Sequence, residues 1–253
     1  MAAPYSQNLA AAAADVSALD RIGIIANPPI WDSGATPNVA GRYTYQALGD
    51  APALSGGAYK TIGYVDAEMG WPGAPGQASV TLSNPMDDGK TVLIVGVDSD
   101  FNIQSSSVVA SAGGPVSTPE TFAGIFYAEI TAGGTNQAEV FFGIGGTNTM
   151  IMRPGANRTE FAVAIIPEGY TGVITRVYLH SDTQVDSAVI RTLPDGGEIS
   201  DPFRVAKVTS LDVNTSIRIP EKTFVQFLIN SSAAAGTTVA SGFFVLELIQ
   251  NPS

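Results

Sequence analysis

The sequence predicts an all-β fold: a jelly-roll-like antiparallel β-sandwich preceded by an extended N-terminal arm with one short helix. Three observations predict it. From about residue 77 onward, short apolar runs rich in Val, Ile and Phe follow one another to the end of the chain. The breaks between them hold turn residues: Asp87-Asp-Gly89, Gly113-Gly-Pro115, Gly133-Gly134, Gly145-Gly146, Pro154-Gly155, Pro194-Asp-Gly-Gly197 and Ala233-Ala-Ala-Gly236. Helical character is confined to one alanine-rich stretch near the start.

In chain order, Asn8 to Asp20 is that predicted helix, with Asn8 placed to cap it. Residues 21–76 show little period of either kind and are punctuated by Asn27-Pro-Pro29, Ser55-Gly-Gly57 and Trp71-Pro-Gly-Ala-Pro-Gly76. They also carry Trp31, Trp71, Tyr43, Tyr45, Tyr59 and Tyr64, an aromatic content foreign to disordered tails. The chain therefore divides into an arm, 1–76, lying across its own domain or a neighbour, and a β domain, 77–253. Strands are predicted at 78–83, 90–97, 103–110, 121–131, 137–144, 148–152, 160–166, 171–180, 185–192, 203–211, 215–219, 223–230 and 240–250. Glu160 to His180 is the centre of the series. Phe161 to Ile166 is an unbroken apolar run, as a strand buried on both faces requires. Pro167-Glu-Gly169 ends it, and 171–180 alternates, so the stretch reads as a hairpin.

Composition excludes several classes of function. Only 14% of residues are charged, against the usual quarter, so the surface is polar and uncharged or is covered by neighbours. The net charge of −11, with no Lys or Arg run, disfavours nucleic-acid and anionic-membrane partners. The chain has no Cys, so no disulfide, thiolate ligand or thiol nucleophile exists. No basic n-region with an apolar h-region opens the sequence, and no run reaches membrane-span length. Synthesis in a cytoplasm is expected.

The motifs give no chemistry. Asp98-Ser-Asp100-Phe-Asn102 opens like a calcium loop, but Ile103 replaces the needed glycine and Val109 the bidentate Glu. A hairpin turn capped by Asx side chains is expected instead. Asp182, Asp186, Asp195, Glu198 and Asp201 read as solvated loop acids, with a cation at a subunit contact as the alternative. His180, the one histidine, reads as a strand-end side chain half in solvent. Gly143-Ile-Gly145-Gly146 lacks dinucleotide-loop spacing. Asn157-Arg-Thr159, Asn214-Thr-Ser216 and Asn230-Ser-Ser232 match the glycosylation pattern without a signal peptide to give it meaning. No catalytic, cofactor-binding or metal residue is assigned, and no cofactor.

Four phrases recur in a fixed order: Gly96-Val-Asp98-Ser-Asp100-Phe-Asn102; Thr118 to Phe122 followed by Gly133-Gly-Thr-Asn136; Pro167-Glu-Gly-Tyr-Thr-Gly172; and Ile219-Pro-Glu-Lys-Thr-Phe-Val225. In these the chain resembles jelly-roll-type virion structural proteins of tailed bacteriophages, a group common in marine phages. It departs from them at Tyr170, where a lysine is usual, and at Phe224, where an acid is usual. The resemblance covers roughly residues 77–250 and implies a structural role in the particle. It points to a capsid decoration or cement protein on the outer head surface, with the major capsid protein or other virion proteins as partner. The alternatives are a tail, collar or fibre protein contacting the host receptor, or a double jelly-roll capsid protein. An enzyme, such as a polysaccharide depolymerase, would need an acid pair that nothing selects. A homotrimer is expected, with a dimer or a monomer set on the lattice as the lesser options, because few strand runs carry lysine to guard their edges and because Phe101, Tyr127 and Tyr178 read as exposed.

Overall fold

In a computed structural model the described residues are 42–54, 58–63, 73–232 and 238–251. The predicted helix at 8–20, Trp31, Tyr64 and Trp71 lie outside them. The strands are β1 (Arg42–Leu54), β2 (Tyr59–Thr61), β3 (Gly76–Leu82), β4 (Thr91–Val97), β5 (Ile103–Val109), β6 (Val116–Phe122) and β7 (Gly124–Ala132). They continue with β8 (Val140–Ile144), β9 (Thr147–Met152), β10 (Val163–Ile166), β11 (Tyr170–Pro194), β12 (Ser200–Ile219), β13 (Thr223–Asn230) and β14 (Thr238–Gln250). Every pairing between them is antiparallel, and the fold is an all-β sandwich.

Three sheets share one core. The large sheet runs β1-β14-β11-β13-β10, with β12 on the far side of β11 and β2 on β13; the others run β6-β3-β8-β9 and β5-β4-β7. Phe122, Phe142, Ile144, Met150, Met152, Phe227 and Phe244 are all fully or almost fully buried in the continuous core. Each such side chain contributes about 1.5–3 kcal/mol by leaving water. Packing is close: a void of about 10 Å³ between Ile103, Phe126, Ile165 and Leu246 has scarcely room for one water.

The two smaller sheets close on each other. The Gln104 side chain donates to the Thr121 carbonyl, joining the edges of β5 and β6. On the opposite side, residues 157–159 cover the free edge of β7: the Ile130 amide donates to the Asn157 carbonyl at 2.8 Å and the Thr159 amide to the Ala128 carbonyl at 2.9 Å. The β8–β9 hairpin turns through Gly145 and Gly146, with φ of 57° and 83°. Two consecutive positive φ angles define the tight turn that matches strand twist, which explains the paired glycines.

Several expectations are corrected. Glu160 to His180 is not a hairpin, because β13 lies between β10 and the part of β11 that shares its sheet row. Pro167-Glu-Gly169 is a corner: Gly169 takes the expected positive φ of 76° and the Tyr170 amide donates to the Pro167 carbonyl at 3.3 Å, but the chain leaves toward β14. The all-buried run Phe161 to Ile166 is as expected. The alternation in 171–180 is not a single period. Thr175 is an extra residue opposite β14, and burial shifts there from Gly172 and Ile174 to Val177 and Leu179.

β1 and β2 do not form an arm separate from the rest of the sheet. β1 pairs with β14 from Arg42↔Ile249 to Leu54↔Thr238, and β2 pairs with β13. Ile62 crosses over β1 so closely that a β-carbon at Gly49 would collide with the Ile62 carbonyl. A division at 76/77 would therefore cut strands from the large sheet. The predicted pairs 171–180 with 185–192, and 203–211 with 215–219, are single long strands, β11 and β12. β6 is a strand despite Pro119.

Candidate assembly surface

The longest strands build the feature that stands out on the surface. β11 and β12 pair from Gly172↔Ile219 to Thr192↔Ser200 and turn at Pro194-Asp-Gly-Gly197, where the Gly197 amide donates to the Pro194 carbonyl at 3.0 Å. The other side of β11 has two partners in succession, β14 over 170–181 and β13 over 187–194. At the change of partner, Ser181 to Gln184 bulge from β11 opposite Thr209 alone. A ladder cannot pair the amides at such a junction, and acids do it instead. The Asp182 carboxylate accepts from the Val239 amide at 2.9 Å, and the Asp186 carboxylate from the Ser232 amide at 2.6 Å. Lys207, in a left-handed conformation with φ of 55°, also binds Asp186. That ammonium first, and then the Ser232 hydroxyl and amide, lower the Asp186 pKa to about 2.

β12 has β11 on one side and, among the described residues, no strand on the other. Its residues alternate. Phe203, Val205, Leu211 and Ile217 are half-buried against the core, while Arg204, Asp212, Asn214 and Arg218 are exposed. Arg176 of β11 grips Asp212 with two bonds, of 2.8 and 2.7 Å. Each partner shifts the other: the hydrogen bond and charge raise the Arg176 pKa and lower that of Asp212. Beside this pair Tyr178 and Phe243 stack with centroids 5.0 Å apart, and the Arg176 guanidinium lies 5.7 Å over Phe243. At the turn end, Arg191 pairs with Asp201 at 2.9 Å and covers the Tyr59 ring, whose hydroxyl accepts from Ser187 at 3.1 Å. This fastens β2 to the sheet.

The residues singled out in the sequence mostly serve the fold. Asp98 caps its own turn, accepting from the Asp100 amide at 2.8 Å and the Asn102 amide at 2.9 Å. Asp182, Asp186 and Asp201 are bound within the sheet rather than being free loop acids, while Asp195 and Glu198 are exposed at the β11–β12 turn. His180 is exposed within β11, not at a strand end, opposite Ser210 and Ser241. Asn214 is exposed on β12 and Asn230 ends β13. Among the described residues no three acidic or histidine side chains converge as metal ligands. Of the aromatics expected outside, Phe101 and Tyr127 are buried and Tyr178 is half-exposed.

Three of the four recurring phrases meet in one corner. The Glu168 amide donates to the Phe101 carbonyl at 3.0 Å, and the Gly169 amide to the Glu221 carboxylate at 2.7 Å. The Lys222 ammonium lies 3.1 Å from Glu168, which raises its pKa, and Phe101 packs edge-on against Phe224 at 5.4 Å. The departure at Phe224 thus supplies an apolar lock between sheets. The remaining phrase makes a second lock. Buried Asn136 accepts from the Asn157 amide at 3.1 Å, donates to the Ala138 and Arg153 carbonyls at 2.8 and 2.7 Å, and its own amide binds the Asn157 side chain. Asp87, which sequence reading treats only as a turn residue, and Lys90, which it places at the start of a strand, complete it. Fully buried Asp87 accepts from the Gln137 and Ala138 amides at 2.8 and 3.0 Å. Lys90 lies 3.8 Å from it and donates to the Gly133 carbonyl at 2.6 Å.

Comparison with known proteins adds little to this geometry. No protein-family model and no curated protein matches the chain. Among solved structures the chain is similar to a structure of infectious bursal disease virus Gt strain, at 10% identity and a TM-score of 0.25, over 85% of this chain and 75% of that one. It is also similar to infectious bursal virus derived T=1 particles, at 10% identity and a TM-score of 0.24, over 85% of this chain and 72% of that one. Similarity at this level fixes neither fold nor role.

Proposed function

We propose that the chain is a non-enzymatic structural protein of a bacteriophage virion, a decoration or cement protein on the outer head surface with the major capsid protein as its partner. The observation that carries this reading is the corner where the phrases shared with phage virion proteins converge. Residues 98–102, 167–172 and 219–225 lie far apart in the chain, yet their backbone amides, carboxylates and rings bind one another. The resemblance therefore follows the joints of the fold, as expected when a scaffold rather than a reactive centre is shared. The acids that might have served catalysis are engaged in the same way: Asp98, Asp182 and Asp186 hold backbone amides.

With β1 and β2 taken into the large sheet, the anchoring role expected of the arm is proposed for the residues ahead of Arg42. Quantitative mass spectrometry of purified particles tests the reading. Hundreds of copies per virion support head decoration. A count of about a dozen or fewer, set by tail symmetry, indicates the tail, collar or fibre reading. Absence from particles overturns both.

A further inference from the structure

We propose that β12 pairs with β12 of a second copy about a two-fold axis at Val208, joining two large sheets into one. The inference starts from a symmetry within the strand itself. Around Val208, which is buried, exposure reads the same in both directions from Asp201 to Thr215, with half-buried and exposed positions at equal distances on either side. The irregularities fall symmetrically too: the spacing of inward residues lengthens once between Val205 and Val208 and once between Val208 and Leu211. A two-fold contact requires this self-complementarity, residue i meeting j and j meeting i.

The side chains agree with that register. Val205 meets the second copy's Leu211, and Phe203 meets its Val213, so half-buried apolar rows become continuous across the junction. On the exposed face Arg204 meets Asp212, twice by symmetry. Arg204 has no ion-pair partner among the described residues. Asp212 already holds Arg176, but a carboxylate has acceptor sites enough for a second guanidinium. The usual edge guards are weak here. Lys207 is turned back onto Asp186 of its own chain, and Pro202 lies outside the ladder from Phe203 to Val213. An open edge strand of this length otherwise pairs without limit. A two-fold pair closes it.

The purified full chain tests this independently of any particle. Light scattering at micromolar concentration is expected to give twice the chain mass of 26.1 kDa. Arg204→Asp alone and Asp212→Arg alone, each placing like charges opposite one another, are expected to give single chains with folded circular dichroism. An equimolar mixture is expected to recover the double mass, because each variant then meets its opposite charge. Because the chain has no Cys, Val208→Cys provides a second reading: oxidation is expected to link two copies, and Ser216→Cys, far from the axis, is not. A wild-type mass of one or three chains, a mixture that stays single, or equal linking at 208 and 216 overturns the proposal.

Discussion

The paired small sheets and the β11–β12 ribbon treat their edges in opposite ways. In the small sheets β5 and β6 are tied by Gln104, β7 is covered by 157–159, and the end loops are locked by buried Asp87, Lys90 and Asn136. In the ribbon, β12 leaves a 20-residue edge open, with an apolar row half in solvent and with Asp212 and Lys207 paired on the surface. Both regions come from the same low-charge sequence. The difference teaches that scarcity of charge is not uniform exposure: one region encloses the Asp87–Lys90 pair as a structural lock, while the other leaves a surface that a neighbour can complete.

The largest effect that would break this contrast is loss of the first strands. Deleting residues 1–63 removes β1 and β2, uncovering β14 and part of β13, and is expected to give unfolded or aggregated chain by circular dichroism. Deleting 1–41 keeps both strands and is expected to leave the fold intact. Next is the lock itself. Asp87→Ala leaves Lys90 buried without its carboxylate, and urea denaturation is expected to show a loss of about 3–5 kcal/mol.

A smaller effect sharpens the contrast through pH. The Asp186 pKa is held at about 2, below its ordinary 3.8, so it stabilises the folded chain fully above the unfolded value. That contribution is lost as pH falls from about 3.8 toward 2, when protonation frees the Ser232 amide and Lys207. Tm scans are expected to show wild type more stable than Asp186→Asn at pH 5, with the gap closing by pH 2. A gap independent of pH would show that the carboxylate's charge is not what ties β11 to Ser232 and to Lys207 of β12.

These predictions rest on features unevenly visible in the sequence. The strands β3 to β5 and β13 were legible because alternation and turn residues are local signals. β6 was hidden by Pro119, and β1 by Gly49, Pro52 and other small residues. The breaks predicted in β11 and β12 were polar stretches, Ser181 to Gln184 and Asp212 to Asn214. At the first of these the strand changes partner rather than ending. That β13 separates β10 from β11 depends on residues 57 to 63 apart, which no local pattern encodes. Burial of Asp87 and Lys90 was equally invisible, since a turn acid and a lysine at a strand start look the same whether solvated or enclosed. The Asx turn at Asp98 was legible because its partners lie within four residues.

Amide hydrogen exchange followed peptide by peptide, at concentrations below and above association, tests most directly the claim that the molecule has one closed region and one assembling edge. The account predicts that residues 203–213 change from fast to slow exchange as copies associate, while 78–166 exchange slowly and equally at both concentrations. Unchanged exchange across 203–213, or new protection confined to 78–166, would contradict it.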